Sequence, residues 1–487
     1  MDVALEAVRR VRGMSSTVEA TNDATKSRWS ALIVLCLGAL LIVLDSTIVS
    51  VALPSVSADL HIPDSALSWL LNAYMVPFGG FLLLAGRLGD FLGQRRLFLV
   101  GLGGFVVASA VCGVARTQAI LLIGRAIQGT SGAVVSAVSL SSLISLFCAP
   151  SERVRALAFY GFVGAAGGSL GELLGGVLVK LFGWQSIFLI NIPIGCTVYA
   201  FALRQLPGDS ISHRYTAPGV GSGLSITASL AMAVYVLGSG SEVGWLSPRT
   251  AVCTPVAAML FVLFLTLESR GDNPLMPREL FHTRNFATAN VVAALWAAGA
   301  FSWLMLVALF LQRVLAYDPL RVGLALLPST IIIAAFSGRL SAWIVVRFGV
   351  RLPLVTGLLL VAVGLSWFSR CPATGVFVVD LLPGMLLQGL GSAIAYTPLL
   401  FLATRDVEVN ESGLASGILN TSLSMGGTLG IGLLPSLINA RASILTLSGV
   451  PPSIALLGGY HAAFVGSSLL VGAAAVLGGV LAKTRSE

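Results

Sequence analysis

Asp45 lies inside a long apolar run, in Leu44-Asp45-Ser46-Thr47-Ile48-Val49-Ser50-Val51-Ala52-Leu53-Pro54. A carboxylate at that depth in hydrocarbon costs about 2.5–3.5 kcal/mol, and protonation avoids the cost. A group that is neutral when dry and ionised when wet can carry a proton. The other reading of Asp45 is a structural acid hydrogen-bonded to a neighbouring helix. Arg125 stands in a second apolar run, in Gly124-Arg125-Ala126-Ile127-Gln128-Gly129. Arginine does not shed its charge, so it needs an acid, a water-filled cavity or backbone carbonyls nearby. Gln128 is three residues on and shares its helix face. Arg125 either modulates the proton affinity of an acid such as Asp45 or only ties helices together. Glu172 stands amid Gly161, Gly164, Gly167, Gly168, Gly171, Gly175 and Gly176. Glycines recurring every three or four residues make a smooth stripe against which another helix packs closely and slides. Three readings of Glu172 stay open: a second titrating group, a counter-charge for a cationic substrate, or a plain hydrogen bond between helices. Asp380, near the edge of a later span, reads as solvated.

Other chemistries find no footing. There is no phosphate-binding loop of the P-loop type, so ATP is not expected to drive this chain directly. His61, His213, His282 and His461 lie in or near loops and do not cluster. The six cysteines show no CxxC spacing, which argues against a disulfide framework or a metal site. No cofactor and no metal is expected, and the chain does not read as an enzyme. Trp69, Tyr74, Trp296, Phe301, Trp303 and Phe310 lie within spans and either line a hydrophobic cavity or face lipid and neighbouring helices.

The elements that must position these residues follow from composition. The chain has 487 residues, 56% hydrophobic and 10% charged, with a mean hydropathy of +0.92. A soluble domain carries about 25% charged residues, so this is a polytopic membrane protein. Apolar runs begin near Trp29, Ser65, Leu97, Ala119, Ala156, Ser186, Gly219, Thr250, Phe286, Gly323, Leu352, Val376, Leu414 and Gly459, which predicts about fourteen helical spans. The runs are continuous rather than alternating, which speaks for helices and against barrel strands. The net charge of +8 sits in short loops and reads as orientation rather than nucleic-acid binding. About 20 Lys and Arg fall in the tails and even-to-odd loops against about 7 in the opposite loops, which predicts both termini in the cytoplasm. Between spans two and three, Gly86-Arg87-Leu88-Gly89-Asp90-Phe91-Leu92-Gly93-Gln94-Arg95-Arg96 makes a tight, basic hairpin. Gly338-Arg339-Leu340 with Arg347 to Arg351 loosely echoes it after span ten, without a counterpart of Asp90.

Residues 1–28 are a tail, in which Met1 to Met14 read either as a basic amphipathic helix on the inner leaflet or as disordered. Residues 269–284, with Pro274 and Pro277, form a polar linker that separates eight spans from six.

With these residues in place, the chain resembles the major facilitator superfamily, and more narrowly its fourteen-span drug:proton antiporters. Gly86 to Arg96 resembles the family's loop motif between spans two and three. Leu44 to Pro54 resembles the first-span motif, and Arg125, Gln128 and Gly129 match the fourth-span motif. The glycine stripe is similar to the fifth-span antiporter motif, and Trp184 to Gly195 to the sixth-span signature. The resemblance implies two six-helix bundles, residues 29–206 and 285–482. Two extra helices, 217–268, stand between them, with cytoplasmic tails at 1–28 and 483–487. Proton coupling is assigned to Asp45 as carrier and Arg125 as its modulator, with Glu172 as a second site or substrate contact. Substrate contact is assigned to Gln128, Glu172, Trp69, Tyr74 and Trp303. The switch loop comprises Gly86, Asp90, Gly93, Arg95 and Arg96, and the stripe comprises Gly164, Gly168, Gly171 and Gly175. Asp90 would latch helix ends, since an acid can cap a helix N-terminus. Two departures stand out. Glu172 replaces the proline usual after the glycine equivalent to Gly171, and the basic residue often found near Leu423 is missing.

The expected activity is export of hydrophobic or amphipathic small molecules in exchange for protons, from a bacterial cytoplasmic membrane. The expected partners are that substrate, protons and the lipid bilayer, with no nucleic acid, for a monomer. Rival readings are a dedicated exporter of one host-made natural product, a membrane receptor or sensor that does not transport, and an importer.

Overall fold

In the computed structural model the described backbone covers residues 2–63, 66–147, 150–208, 219–243, 247–270, 283–336, 339–407 and 412–481. Side chains are described there except at 2–27, 90, 150–151, 153–154, 157–158, 161–162, 164–166, 169, 238–243, 339–342, 412–414 and 416. No strand occurs among the described residues. That follows from the solvent: in hydrocarbon every backbone polar group must be satisfied within its own segment.

The helices are α1 (Asp2–Leu60), α2 (Ser68–Leu92), α3 (Gln94–Gly113), α4 (Gln118–Leu146), α5 (Pro150–Phe182), α6 (Ser186–Leu189), α7 (Asn191–Gln205), α8 (Val220–Val243) and α9 (Pro248–Arg270). After the linker come α10 (Arg284–Arg313), α11 (Pro319–Phe336), α12 (Arg339–Phe348), α13 (Arg351–Trp367), α14 (Leu382–Thr404), α15 (Ser412–Leu447) and α16 (Pro452–Leu481). Thirteen helices among the described residues are long and apolar enough to cross a membrane. Beyond these thirteen stands α5, a further helix of 33 residues, several of whose side chains lie outside the described ones, against an expectation of about fourteen spans.

Three local departures have physical causes. The tail is continuous with the first span, since α1 begins at Asp2. The sixth span is interrupted between α6 and α7 at the single residue Ile190, whose φ and ψ stay helical (−63°, −25°). Pro193 has no N–H to donate, so it suits the first turn of a new helix rather than the middle of one. The twelfth span opens on a wide turn, Phe377–Leu381, where the Asp380 carboxylate accepts the Val376 N–H at 2.6 Å. Asp380 is thus half-buried and capping, not simply solvated.

Helices α1–α7 pack among themselves, as do α10–α16. Among the described residues the two groups meet chiefly at α5 with α11 and α2 with α15, and more lightly at α1 with α10 and α11 and at α4 with α15. The inserted α8 lies against α2, α15 and α9, and α9 packs on α8 with most of its surface outward. Close approaches are made at glycines. A Cβ on Gly426 or Gly430 would strike the α10 carbonyls of Ala294 or Ala298, which draws α15 tightly onto α10. At the end of the molecule opposite the α2–α3 hairpin, Gln312 Nε2 donates to the Val51 carbonyl (3.1 Å) and Lys180 pairs with Asp318 (3.3 Å). Both contacts cross between the groups.

Candidate functional site: a buried carboxylate–guanidinium cage

The spacing of α4 sets the site. Arg125 and Gln128 sit one turn apart on one face, between Gly124 and Gly129. A side chain on Gly129 would run into the Tyr74 carbonyl, so this glycine lets α2 close onto α4. That approach lays the Tyr74 ring under the guanidinium, with Arg125 Cζ 4.3 Å from the ring centroid.

Arg125 Nη1 donates to Asp45 Oδ2 at 2.7 Å, and the two side chains are 1% and 0% exposed. Arg125 Nη1 also donates to Gln128 Oε1 (3.1 Å), and Nε donates to the Leu70 carbonyl (3.3 Å). The other Asp45 oxygen, Oδ1, accepts from Gln128 Nε2 (3.2 Å) and Asn191 Nδ2 (2.7 Å). The Ser109 hydroxyl accepts from Gln128 Nε2 (2.8 Å) and donates to the Phe105 carbonyl. The Cys112 thiol meets Gln128 Oε1 at 3.4 Å. Asn191, in the first turn of α7, lies within reach of Asp45.

A buried ion pair is stable only when its remaining donors and acceptors are satisfied. Here three donors from two helices hold one carboxylate. A proton added to Asp45 would remove the charge that Arg125 faces and leave two amide donors opposite an acid.

Glu172 is not part of it. Its side chain is 3% exposed, and Oε2 is buried without a hydrogen-bond partner. Around α5, Gly171 and Gly175 abut α1 at Thr47 and Ile48, while Gly176 abuts α11 at Pro319. A Cβ on Gly323 of α11 would come within 2.6 Å of the Glu172 carbonyl. Gly168 opens onto free space, and Gly164 lies outside the described side chains.

These features meet known proteins over most of the chain. Residues 35–431 match the Major Facilitator Superfamily. The chain belongs to that family. Within the superfamily it is 33% identical to the puromycin resistance protein pur8 of Streptomyces alboniger over 466 residues, covering 94% of this chain and 92% of that one. It is 32% identical to the cephamycin export protein CmcT of Amycolatopsis lactamdurans, covering 97% and 96%. It is also 32% identical to the multidrug resistance protein Stp of Mycobacterium tuberculosis, covering 85% and 76%. Among solved structures, the nucleoside transporter NupG aligns with a TM-score of 0.64 at 13% identity, covering 92% of this chain and 99% of that one. The human organic anion transporter MFSD10 aligns at 0.60 and 17%, covering 93% and 99%. These two show the fold. The chain is a bacterial multi-pass membrane protein of a transporter class, homologous to antibiotic-resistance exporters, and not an enzyme.

The remaining residues singled out from the sequence are placed as follows. Tyr74 is buried against Arg125 and stacks on Phe78. Trp69 lies against Tyr235 of the inserted α8, away from the cage (6.3 Å between ring centroids). Trp303 is buried beside Phe368. Gly93 takes φ +98° and closes the α2–α3 hairpin, a conformation that glycine adopts without strain. Gly86 faces open space, and Arg95 Nη2 donates to the Leu203 carbonyl of α7. Arg96 opens α3 beside it, and the Asp90 side chain lies outside the described ones. The described cysteines, Cys36, Cys112, Cys196, Cys253 and Cys371, are free.

The sequence reading missed Asn191, Ser109 and Cys112. Asn191 carried a usable signal, a lone amide in the apolar segment Ile187 to Ile194. Ser109 and Cys112 carried none, because small polar residues in spans commonly bond only to their own helix.

Proposed function

We propose that this protein is a proton-coupled antiporter that exports a hydrophobic or amphipathic small molecule of the antibiotic class by alternating access. The observation that carries the reading is the Asp45–Arg125 pair, wholly buried and held by Gln128 and Asn191. Protonation of Asp45 frees Arg125 and reorganises the contacts of α1, α4 and α7. Substrate and proton then bias one two-state equilibrium in opposite senses, which yields exchange.

In this reading two six-helix bundles, 29–206 and 285–482, rock about a central path, with α5 as the fourteenth span. The 217–268 pair and the cytoplasmic linker 269–284 join the bundles. Both tails, 1–28 and 483–487, face the cytoplasm, and Asp90 with Gly86, Gly93, Arg95 and Arg96 latches that side. Gln128 and Tyr74 serve the coupling pair, whereas Trp69 and Trp303 with Glu172 are the substrate contacts to test. Gly164, Gly168, Gly171 and Gly175 give α5 the smooth surface on which the bundles move.

Export of one natural product made by the host is favoured over broad drug efflux, because two of the three relatives above are named for a single antibiotic. The test uses everted membrane vesicles with an imposed proton gradient, a panel of antibiotics, wild type and Asp45→Asn. Gradient-driven uptake of one or a few related compounds, lost in Asp45→Asn, is the expected result. Uptake that persists unchanged in the variant would remove Asp45 from the coupling path.

A further inference from the structure

The Asp45 carboxylate takes its side-chain partners from α4 and α7, and the rest of the cage comes from α2 and α3, all inside one group of helices. Rocking one group against the other leaves those distances as they are. A bound species shifts a two-state equilibrium only through the difference in its interaction with the two states. A group that senses rocking directly must therefore sit where the two groups meet.

Glu172 sits there. On α5 it falls between Gly171, which faces α1, and Gly176, which faces α11 in the other group. Its own carbonyl lies at the point where Gly323 of α11 comes closest. On the opposite side of α5, Leu170 is exposed. The side chain is thus directed inward along the seam between α1 and α11, and its Oε2 has no partner. A buried carboxylate without a donor or a cation is costly in its charged form.

Among the described side chains, the charged groups on elements packed against α5 are committed elsewhere. Asp45 of α1 is held by Arg125 of α4, and Asp59 of α1 accepts from Trp184 and Gln185. Arg28 of α1 pairs with Glu152 of α5, and Asp318, beside Arg321 of α11, pairs with Lys180. Beyond Arg321, α11 has no charged residue, and α6 has none.

We propose that Glu172 is a binding site for one positive charge at the α5–α11 seam, loaded in one conformation and emptied in the other. The proposal rests on the alternating-access reading and adds to it a second charge site whose surroundings change as the helix groups move. The charge comes from a proton or from the cationic group of a substrate. In the second case the carboxylic acid gives up its proton to water as the cation pairs with the carboxylate, so charge is conserved.

The experiment is an infrared titration of the purified full-length protein, following the carbonyl band of protonated carboxylic acid, with tetraphenylphosphonium as the cationic probe. Wild type should show a band that Glu172→Gln lacks. If the cation is a ligand, tetraphenylphosphonium will diminish the band with release of one proton per site, and Glu172→Gln will bind it at least about tenfold more weakly by equilibrium dialysis. If the band is lost in Glu172→Gln but the probe has no effect on wild type, the site takes the proton alone. A band and a probe affinity unchanged in Glu172→Gln overturn the proposal. Glu172→Asp, which keeps the acid, must shift the band, and an unshifted band overturns the proposal even if the glutamine variant does not fold. These readouts need no transport. A failed vesicle assay with an intact Glu172 band therefore sinks the exporter reading and not the site.

Discussion

Replacing Arg125 with Met leaves the Asp45 carboxylate buried among amide donors but without its counter-charge. Replacing Asp45 with Asn leaves the guanidinium with the Leu70 carbonyl, Gln128 Oε1 and the Tyr74 face. Each single change breaks a fully buried pair, which costs about 3–5 kcal/mol. The double variant Asp45→Asn/Arg125→Met fares better than either. The new amide can accept from Asn191 and donate to Gln128 Oε1, which Arg125 no longer occupies. The double variant should therefore lose less than either single, with a coupling of at least about 2 kcal/mol. At about 2.1 cal/mol/K per residue, a chain of 487 residues melts roughly 1 °C lower per kcal/mol lost. Tryptophan-fluorescence melting in detergent should then show singles down by about 3–5 °C and the double partly restored. Losses that simply add would refute a direct buried pair. All three variants should lose gradient-driven transport, since restoring stability does not restore a titrating carboxylate.

Other expectations concern α5 and the far end of the molecule. Gly171→Ala puts a methyl against Thr47 Oγ1 and the Leu44 carbonyl, whereas Gly168→Ala enters open space. The first should cost about 1–3 kcal/mol in melting experiments and the second close to nothing, and equal effects would deny that Gly171 is the α1 contact. Asp318 lies in the connection before α11, and the Arg321 N–H, helped by Lys180, holds its carboxyl below the usual aspartate range. A group whose folded value is depressed gives its contribution in full above its unfolded value and loses it as pH falls through the folded one. The melting difference between wild type and Asp318→Asn should thus stay level from about pH 8 to 5 and shrink only below about pH 4. Shrinkage already near pH 6 would contradict the contact. The pair is exposed, so the sign rather than the size is the test.

Much of the fold is legible in the sequence because hydrocarbon admits few structures. Uninterrupted apolar runs locate the spans, but α1 reaches back to Asp2, the last helix starts at Pro452 rather than near Gly459, and the break before Asn191 goes unmarked. That break depends on how Pro193 is accommodated locally, which a hydropathy run does not register. The two charged residues expected to interact, Asp45 and Arg125, do meet. Their meeting was readable because a buried arginine has few possible partners. The rest of the cage was not. Asn191 reaches Asp45 from the first turn of α7, a face the hydropathy run does not mark, and Ser109 faces inward on a helix that is hydrophobic all round, with little periodicity to mark its faces. The position of Glu172 at the contact between helix groups was likewise out of reach, because it depends on which glycine of the stripe meets which neighbour.

The inserted pair has a consequence beyond its span count. Helix α8 touches both groups, through Gly223 against Leu84 of α2 and through a Ser436 hydrogen bond to its Leu237 carbonyl (3.0 Å) from α15. Helix α9 covers α8 and turns Met259, Phe261, Val262 and Leu263 to the lipid. The two sides of the protein therefore meet the bilayer unequally: one seam is shielded by a two-helix wall, while the α5–α11 seam has no such cover. Membrane thickness and lateral pressure act on α9 and, through α8, on both helix groups at once. Turnover in thin and thick bilayers would then differ even though the charge-bearing sites are untouched.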